Sequence, residues 1–423
     1  MALIRPFRGV RYNHAVAGDL QQLVSPPYDV ISPEQQTLLH LRSPYNVIHL
    51  DLNRDTERYA SAARTFHAWL DQEVLVQDQE PCLYFYTQEF ALKDGSRHQR
   101  NGVLAALRLE EFSSGKIRPH ERTFESAKSD RLALLRACQA HLSPIFCLYS
   151  RPHWSLVETL KQALECPALA TVQDEQQSTH RLWRISDPSL VAEVTAGLAQ
   201  EPLIIADGHH RYETALRYRT ECLAAQGHGT GDETFNYVLA YLTNAQEEGL
   251  VILPTHRLLR EGPLPNLQHL RMALQRDFRV AMFSVADQVA FFAALRAPGP
   301  ERRIGCAFAG DARYWLLSFE ERIMHGLPVS APLRVLDVTV LHDVLLQRFL
   351  GLPTEVQKQR LSYTVDEEEA LRLVSERHCQ AAFFLRPTTY AQVAEVCAQG
   401  ETMPQKSTYF FPKLLTGLVF YRL

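Results

Sequence analysis

The chain has 423 residues, 46% of them hydrophobic and 22% charged, with a formal net charge of −4. That length suits two or three domains with full cores, and the charge supplies no global basic field for nucleic acid. No run of about 18 apolar residues is present to span a bilayer, and the first residues carry no cleavage signature.

The eight cysteines form no C-x-x-C pair, and most sit in apolar runs, as Cys147 does between Phe146 and Leu148. They are expected to be reduced core residues of a cytoplasmic protein rather than disulfides or a zinc site.

Residues 1–75 read as an N-terminal module. Ser25-Pro26-Pro27-Tyr28-Asp29 is a rigid turn, because two prolines fix φ and remove backbone donors. Residues 47–52 alternate apolar and polar side chains and predict a half-buried strand. Residues 58–70 predict an amphipathic helix with Tyr59, Ala62, Ala63, Phe66 and Leu70 on one face. Candidate strands at 83–86 and 103–107 are joined through the turn signal Lys93-Asp94-Gly95. A polar loop over 117–123, a helix over 128–141 and a short buried strand over 145–149 follow. Helix, strand and helix alternate again to about 198. A strand at 203–206 then runs into a helix from Gly208 to about Ala225, and 235–242 with 249–253 read as a strand pair.

Glu261-Gly262-Pro263-Leu264-Pro265 is the clearest boundary signal. Beyond it, 267–295 reads helix–strand–helix, 303–308 and 314–319 a hairpin around Gly310-Asp311, 335–350 and 367–377 helices, and 381–385 a strand. The segment 403–413 is polar and then aromatic, and no internal repeat is present. The expected fold is α+β (mixed α/β), with a module over 1–75, a core over 76–260 and an α+β region over 261–423.

The chemistry concentrates at Asp207-Gly208-His209-His210-Arg211. Here Asp207 or Gly208 caps a helix whose buried face is expected to carry Ala215, Leu216 and Cys222. The first amides of a helix lack intrahelical partners and the dipole adds positive charge, so the turn is a candidate phosphate cradle. Glycine admits close approach, and the arginine fork matches phosphate geometry. A capped helix with solvated first-turn residues gives the same pattern. A metal site built from Asp207 and the histidines is a further rival. Adjacent helical histidines diverge by about 100°, and Arg211 would repel a cation, so no dedicated metal ligands are expected.

Glu121, in Pro119-His120-Glu121-Arg122-Thr123, is a candidate base for a substrate hydroxyl, and an ordinary surface loop is the competing reading. His120, Arg122, Thr123 and the trio Lys406-Ser407-Thr408 are candidate substrate or phosphate contacts. That trio follows no G-x-x-x-x-G-K and is not a Walker loop; G-x-G-x-x-G, H-E-x-x-H, G-x-S-x-G and the protein-kinase motifs are absent too.

Pro6-Phe7-Arg8-Gly9, Ser25-Pro26-Pro27-Tyr28-Asp29-Val30-Ile31, Pro119 to Thr123, Leu142-Ser143-Pro144-Ile145-Phe146, Ala206 to Tyr212 and Met403 to Thr408 together resemble the prokaryotic family catalogued as domain of unknown function 1015. Gly208-His209-His210-Arg211 with Ala215 is similar to the G-x-x-R-x-x-A phosphate motif of the ParB and sulfiredoxin superfamily. Archaeal free-serine kinases in that superfamily carry a similar D-G-H-H-R segment and an upstream His-Glu pair whose glutamate is taken as the base. The resemblance implies a ParB/sulfiredoxin-like mixed-sheet core over 76–260 that binds nucleotide phosphates. It further implies a small-molecule kinase using ATP or ADP with Mg²⁺, and free L-serine as first acceptor. Sulfiredoxin chemistry is disfavoured because its cysteine is replaced by His209, and no ParB-like DNA-binding helix-turn-helix is evident. A phosphohydrolase on the same site and a non-enzymatic ParB-like nucleotide-binding module are the alternatives.

Overall fold

The computed structural model describes residues 2–123, 125–199, 201–227, 229–262, 264–325 and 328–423. Pro263 of the expected boundary lies outside the described residues. The fold is α+β and divides into two compact units, Met1–Val251 with Phe410–Leu423, and Ile252–Tyr409.

The first unit is organised by a nine-stranded mixed sheet. Its order is Ile117–Pro119, Leu203–Asp207, Ile145–Tyr149, Tyr237–Asn244, Arg97–Arg108, Leu83–Ala91, Thr179–Ile185 and Ala170–Gln173, with Ile4–Arg5 added beside Arg97–Arg108. Ile117–Pro119 with Leu203–Asp207, and Ile145–Tyr149 with Tyr237–Asn244, are parallel; the other pairs are antiparallel. Side chains alternate across a strand. One face therefore gathers Leu83, Phe85, Val103, Ala105, Leu107, Ile145, Cys147, Ile205, Val238, Ala240 and Leu242 into the main core, with Val194, Leu198, Tyr212 and Ala215 from the helices. The other face is buried as well, through Tyr84, Tyr86, Leu104, Phe146, Leu239 and Tyr241. Residues 1–75 lie in this unit, where Val10–Tyr12 pairs with Leu75–Gln77.

Phe410–Leu423 returns to the same unit. Tyr421–Arg422 pairs with Ala140–His141, and bridges join Phe420 to Val10 and Thr416 to Ser25. The fully buried Arg100 donates to the carbonyls of Phe411 at 3.1 Å and Pro412 at 2.5 Å, and from Nε to Gln88 Oε1 at 3.1 Å. Its guanidinium lies over the Phe146 ring, 4.6 Å from the centroid.

The second unit holds a six-stranded antiparallel sheet in the order Arg279–Ser284, Arg313–Phe319, Arg302–Phe308, Ala381–Phe384, His256–Leu259, Leu361–Thr364. Phe291, Phe292 and Leu295 of the helix Gln288–Arg296, and Ala370, Leu371 and Val374 of Glu367–Ser375, pack into its core. Among the described residues no helix is long and apolar enough to cross a membrane. All eight cysteines are free; Cys166 is exposed, Cys222 is half-buried and the others are buried.

Several expected elements differ. Residues 47–52 form no strand: Ile48–Asp51 is a single helical turn. The Asn46 side chain accepts the Ile48 N–H at 3.0 Å and donates to the Gln22 and Val24 carbonyls, a local turn that competes with extension. Ile117–Pro119, expected as loop, is an edge strand whose Ile117 is fully buried. The helix expected over 128–141 runs from Glu125 to Cys138, because Gln139 adopts a left-handed φ of 48° and the chain then enters Ala140–His141. Tyr237–Asn244 is buried along its whole length, so it takes neighbours on both edges, Arg97–Arg108 and Ile145–Tyr149, rather than 249–253. In Arg58–Asp71 the fully packed positions are Ser61, Ala62, Phe66 and Trp69, with Leu70 half-buried.

Replacing Arg100 with leucine removes the donors of two backbone carbonyls and of Gln88 Oε1. At about 1–3 kcal/mol for each acceptor stranded in the interior, Arg100→Leu should cost at least ~2 kcal/mol. Urea unfolding reads this directly, and an unchanged midpoint and slope would refute it.

Candidate functional site

The strand Leu203–Asp207 hands over to the 18-residue helix His209–Gln226 through Gly208. Gly208 has φ 88° and ψ 26°, and a Cβ there would stand 3.1 Å from both the Arg211 fork and Ile145 Cγ2. Only glycine fits that backbone without strain. The register against Ile145–Tyr149 shifts between Ile205 and Asp207, a local bulge that re-aims the last strand residue. Gly208, at the N-cap, has no side chain with which to cap the helix. The helix is seated by His209, Tyr212, Thr214 and Ala215, while Leu216 and Cys222, expected on the buried face, are half-buried. Tyr212 is the anchor that shifts the face: its hydroxyl donates to the Glu110 carbonyl at 2.7 Å and accepts the Glu110 N–H at 2.9 Å.

Parallel pairing of Ile117–Pro119 with Leu203–Ile205 carries the next residue, His120, to the same end of the sheet. His120 is fully buried, and its Nδ1 lies 2.6 Å from the Ile205 carbonyl. A carbonyl only accepts, so Nδ1 carries the proton. The His120 backbone N–H donates to His209 Nε2 at 3.3 Å, which puts the His209 proton on Nδ1. The two rings meet edge to face at 4.6 Å, and His120 also meets the Phe410 ring at 5.8 Å. His120 Nε2 faces Glu121 Oε1 at 3.6 Å, with Glu121 half-buried. Burial, then the neighbouring His120, pushes the His209 pKa down to about 3, so this imidazole is neutral.

Asp207 stands between two cations. Its Oδ2 is 3.2 Å from Arg211 Nη2 and its Oδ1 is 3.1 Å from Lys413 Nζ. Arg211 is locked further: Nη1 donates to Ser143 Oγ at 2.9 Å and to the Pro144 carbonyl. Thr123 Oγ1 donates to Glu213 at 2.9 Å, and Lys128 Nζ donates to Glu213 at 3.0 Å, tying the 120–123 loop and the following helix to the site helix. Arg122 is exposed and His210 half-buried.

Thus His120, Glu121, Thr123, Asp207, Gly208, His209 and Arg211 are gathered at one end of the sheet, through contacts linking the segments 119–123 and 205–213. Lys406, Ser407 and Thr408 belong to the second unit. There the buried Arg257 donates to the Lys406 carbonyl at 3.0 Å, Thr388 Oγ1 donates to the Ser407 carbonyl at 2.9 Å, and Lys406 takes a left-handed φ of 56°. Among the described residues no group of three or more His, Cys, Asp or Glu could hold a metal ion.

Sequence reasoning missed Lys413, Glu213 and Phe410. Glu213 had a signal, since it follows His209 by four residues and so shares its helix face. Lys413 had none, because a lysine after an aromatic run reads as an ordinary surface side chain.

The sequence pattern of the family described as "Protein of unknown function (DUF1015)" matches residues 4–339. No curated protein matches the chain. Among solved structures it is similar to a conserved hypothetical protein from Pyrococcus furiosus, at 12% identity and a TM-score of 0.35 over 75% of this chain and 95% of that one. It is also similar to a free serine kinase in complex with AMP, at 13% identity and a TM-score of 0.36 over 75% of this chain and 92% of that one. A third likeness is to SbnI with a C-terminal truncation from Staphylococcus aureus, at 12% identity and a TM-score of 0.36 over 74% of this chain and 85% of that one.

The neutral His209 has a pH consequence. An unfolded histidine takes its proton near 6.5, the folded one near 3, so between these values the unfolded chain binds the extra proton. The contribution is complete above about pH 6.5 and is lost as pH falls toward 3, by at most about 1.4 kcal/mol per pH unit. His209→Gln keeps an acceptor for the His120 N–H but cannot titrate. Its stability, followed by urea unfolding from about pH 6 down to 4, should fall less steeply than the wild type's by up to one proton; parallel slopes would rule the assignment out.

Proposed function

The chain belongs to the DUF1015 family, and we propose that it is a small-molecule kinase that transfers a phosphoryl group from ATP or ADP to a small hydroxyl compound, free L-serine first among candidates. One observation carries this reading: the Glu121 carboxylate is delivered, through His120, to the same sheet end as the glycine turn Asp207–Arg211. The D-G-H-H-R and His-Glu resemblance supplies the choice of serine.

Phosphoryl transfer asks mainly for positioned phosphates and neutralised charge. Gly208, His209, His210 and Arg211 would hold the phosphates, by the first-turn amides and the cationic side of the turn. Arg211 is held at that turn by Ser143, Pro144 and Asp207, so its charge is placed without further side-chain ordering. Glu121 would take the acceptor's hydroxyl proton. The hydroxyl oxygen then forms the new P–O bond, and the bond to the bridging oxygen breaks with its electron pair left on ADP or AMP. Both Asp207 oxygens already face cations, which suits a counterion and not a magnesium ligand. Mg²⁺, when bound through nucleotide oxygens, supplies charge neutralisation. Arg122 and Thr123 stay as candidate contacts, while Lys406, Ser407 and Thr408 lie in the second unit.

The test is incubation with Mg²⁺, ATP or ADP, and a panel of amino acids and small alcohols, scored for phosphorylated product. Glu121→Gln should lower turnover about 100-fold or more while changing nucleotide affinity by less than about threefold. Full activity in that variant removes the base assignment. Phosphate release without any acceptor would instead identify a phosphohydrolase.

A further inference from the structure

We infer that Asp51, from the N-terminal segment, is a positioning residue for Arg211 and acts through ordered water in a small cavity beside the Asp207–Arg211 turn. The inference rests on the reading above only in taking that turn as a nucleotide site. The Arg211 fork is already committed, Nη1 to Ser143 Oγ and the Pro144 carbonyl, Nη2 to Asp207 Oδ2. Its remaining donor, Nε–H, is buried and meets no acceptor among the described residues. Asp51 ends the helical turn Ile48–Asp51 and is buried too. Its Oδ1 accepts Arg131 Nη1 at 2.7 Å and its backbone carbonyl accepts Nη2 at 3.1 Å. Its Oδ2 is buried and meets no donor among the described residues. Asp51 and Arg211 line one cavity of about 40 Å³, together with Arg131, His141, Ser143 and Thr214. Burial pushes the Asp51 pKa up, and the charges of Arg131 and then Arg211 pull against that rise, so the two side chains already act on each other.

A donor and an acceptor left over on one cavity are what a water molecule joins, accepting from Arg211 Nε–H and donating to Asp51 Oδ2. About 10–15 Å³ admits one water, so the space suffices. The Asp51 carboxylate disfavours an anion there, and the two guanidiniums disfavour a metal ion. Nε is the atom through which the guanidinium plane is joined to its stem, so the bridge fixes the plane in which Nη1 and Nη2 make their own bonds. The Ser25–Asp29 turn gains a task as well. The Tyr28 ring lies 4.2 Å from the Arg131 guanidinium, and Arg131 in turn holds Asp51.

The experiment joins a high-resolution crystal structure of the nucleotide-free chain to NMR of the Arg211 Nε–H, whose signal is identified by its loss in Arg211→Lys. The structure should show water about 2.7–3.2 Å from both Arg211 Nε and Asp51 Oδ2, and the Nε–H should exchange slowly and cross-relax with that water. In Asp51→Asn the amide oxygen stays with Arg131 and an NH₂ donor replaces Oδ2, so exchange should quicken by about tenfold or more. Asp51→Glu is one methylene longer; its carboxylate should enter the cavity, displace the water and keep exchange slow. A dry cavity, or an anion in it, overturns the bridge. Equal exchange in wild type and Asp51→Asn overturns the positioning role, as does fast exchange in an Asp51→Glu variant of unchanged thermal midpoint. If Asp51→Asn does not fold, the wild-type structure and Asp51→Glu decide. Titration of the wild type with ADP separates the two readings: absence of binding removes the nucleotide site, while bridged water in the same protein still upholds the link from Asp51 to Arg211.

Discussion

The parallel pairing of Ile117–Pro119 with Leu203–Ile205 is the contact on which the site depends. It joins segments more than eighty residues apart, and His120 stands 85 positions before the Ile205 carbonyl that receives its ring N–H. Parallel strands need a long crossover, and here that crossover includes the helix Glu125–Cys138 and the strand Ile145–Tyr149. The strand Ile145–Tyr149 then becomes the other neighbour of Leu203–Asp207. One short edge strand therefore sets which loop faces the helix N-terminus, and the buried Ile117 fixes its register, because a slip by one residue would turn that side chain to the opposite face.

Around that contact, neutral and charged groups are sorted by burial. His120 and His209 lie inside, where imidazoles are held in defined tautomers by a carbonyl and an amide. Charges stay near the rim: Asp207, Arg211, Lys413 and Glu121 are all partly exposed. The arrangement is economical in desolvation, because the carboxylates and cations retain solvent while the neutral His209 ring lies in the interior. It also means that His209, adjacent to His210 in sequence, has a different physical role from it. The first seats the helix in the core, and the second remains half-buried at its surface.

What the sequence disclosed follows from range. The hairpin through Lys93-Asp94-Gly95, the cysteine pattern and the Asp207–Gly208 junction are local, and each rests on side chains within a few residues of the backbone they shape. A branched apolar run, one glycine and a polar first turn suffice to mark a strand that becomes a helix. Ile117–Pro119 was not legible because three residues show no period; only its partner strand makes it one. Residues 47–52 satisfied a two-residue alternation and a helical turn equally well, and the deciding atom was the Asn46 amide, outside the window. Lys413 was hidden for a related reason: its position is set by Arg100 and Gln88, more than three hundred residues earlier in the chain.

The return of Phe410–Leu423 to the first unit has a consequence for synthesis on the ribosome. Residues 252–409 are translated between the two halves of that unit. At about 5–20 residues per second, the nascent sheet waits roughly ten to thirty seconds for its last pieces. Until then Arg100 lacks its carbonyl partners and Asp207 lacks Lys413, while the second unit can close on its own contiguous stretch. The order of maturation is thereby inverted: the part begun first is the part finished last, and in the interval its site lacks Phe410 and Lys413.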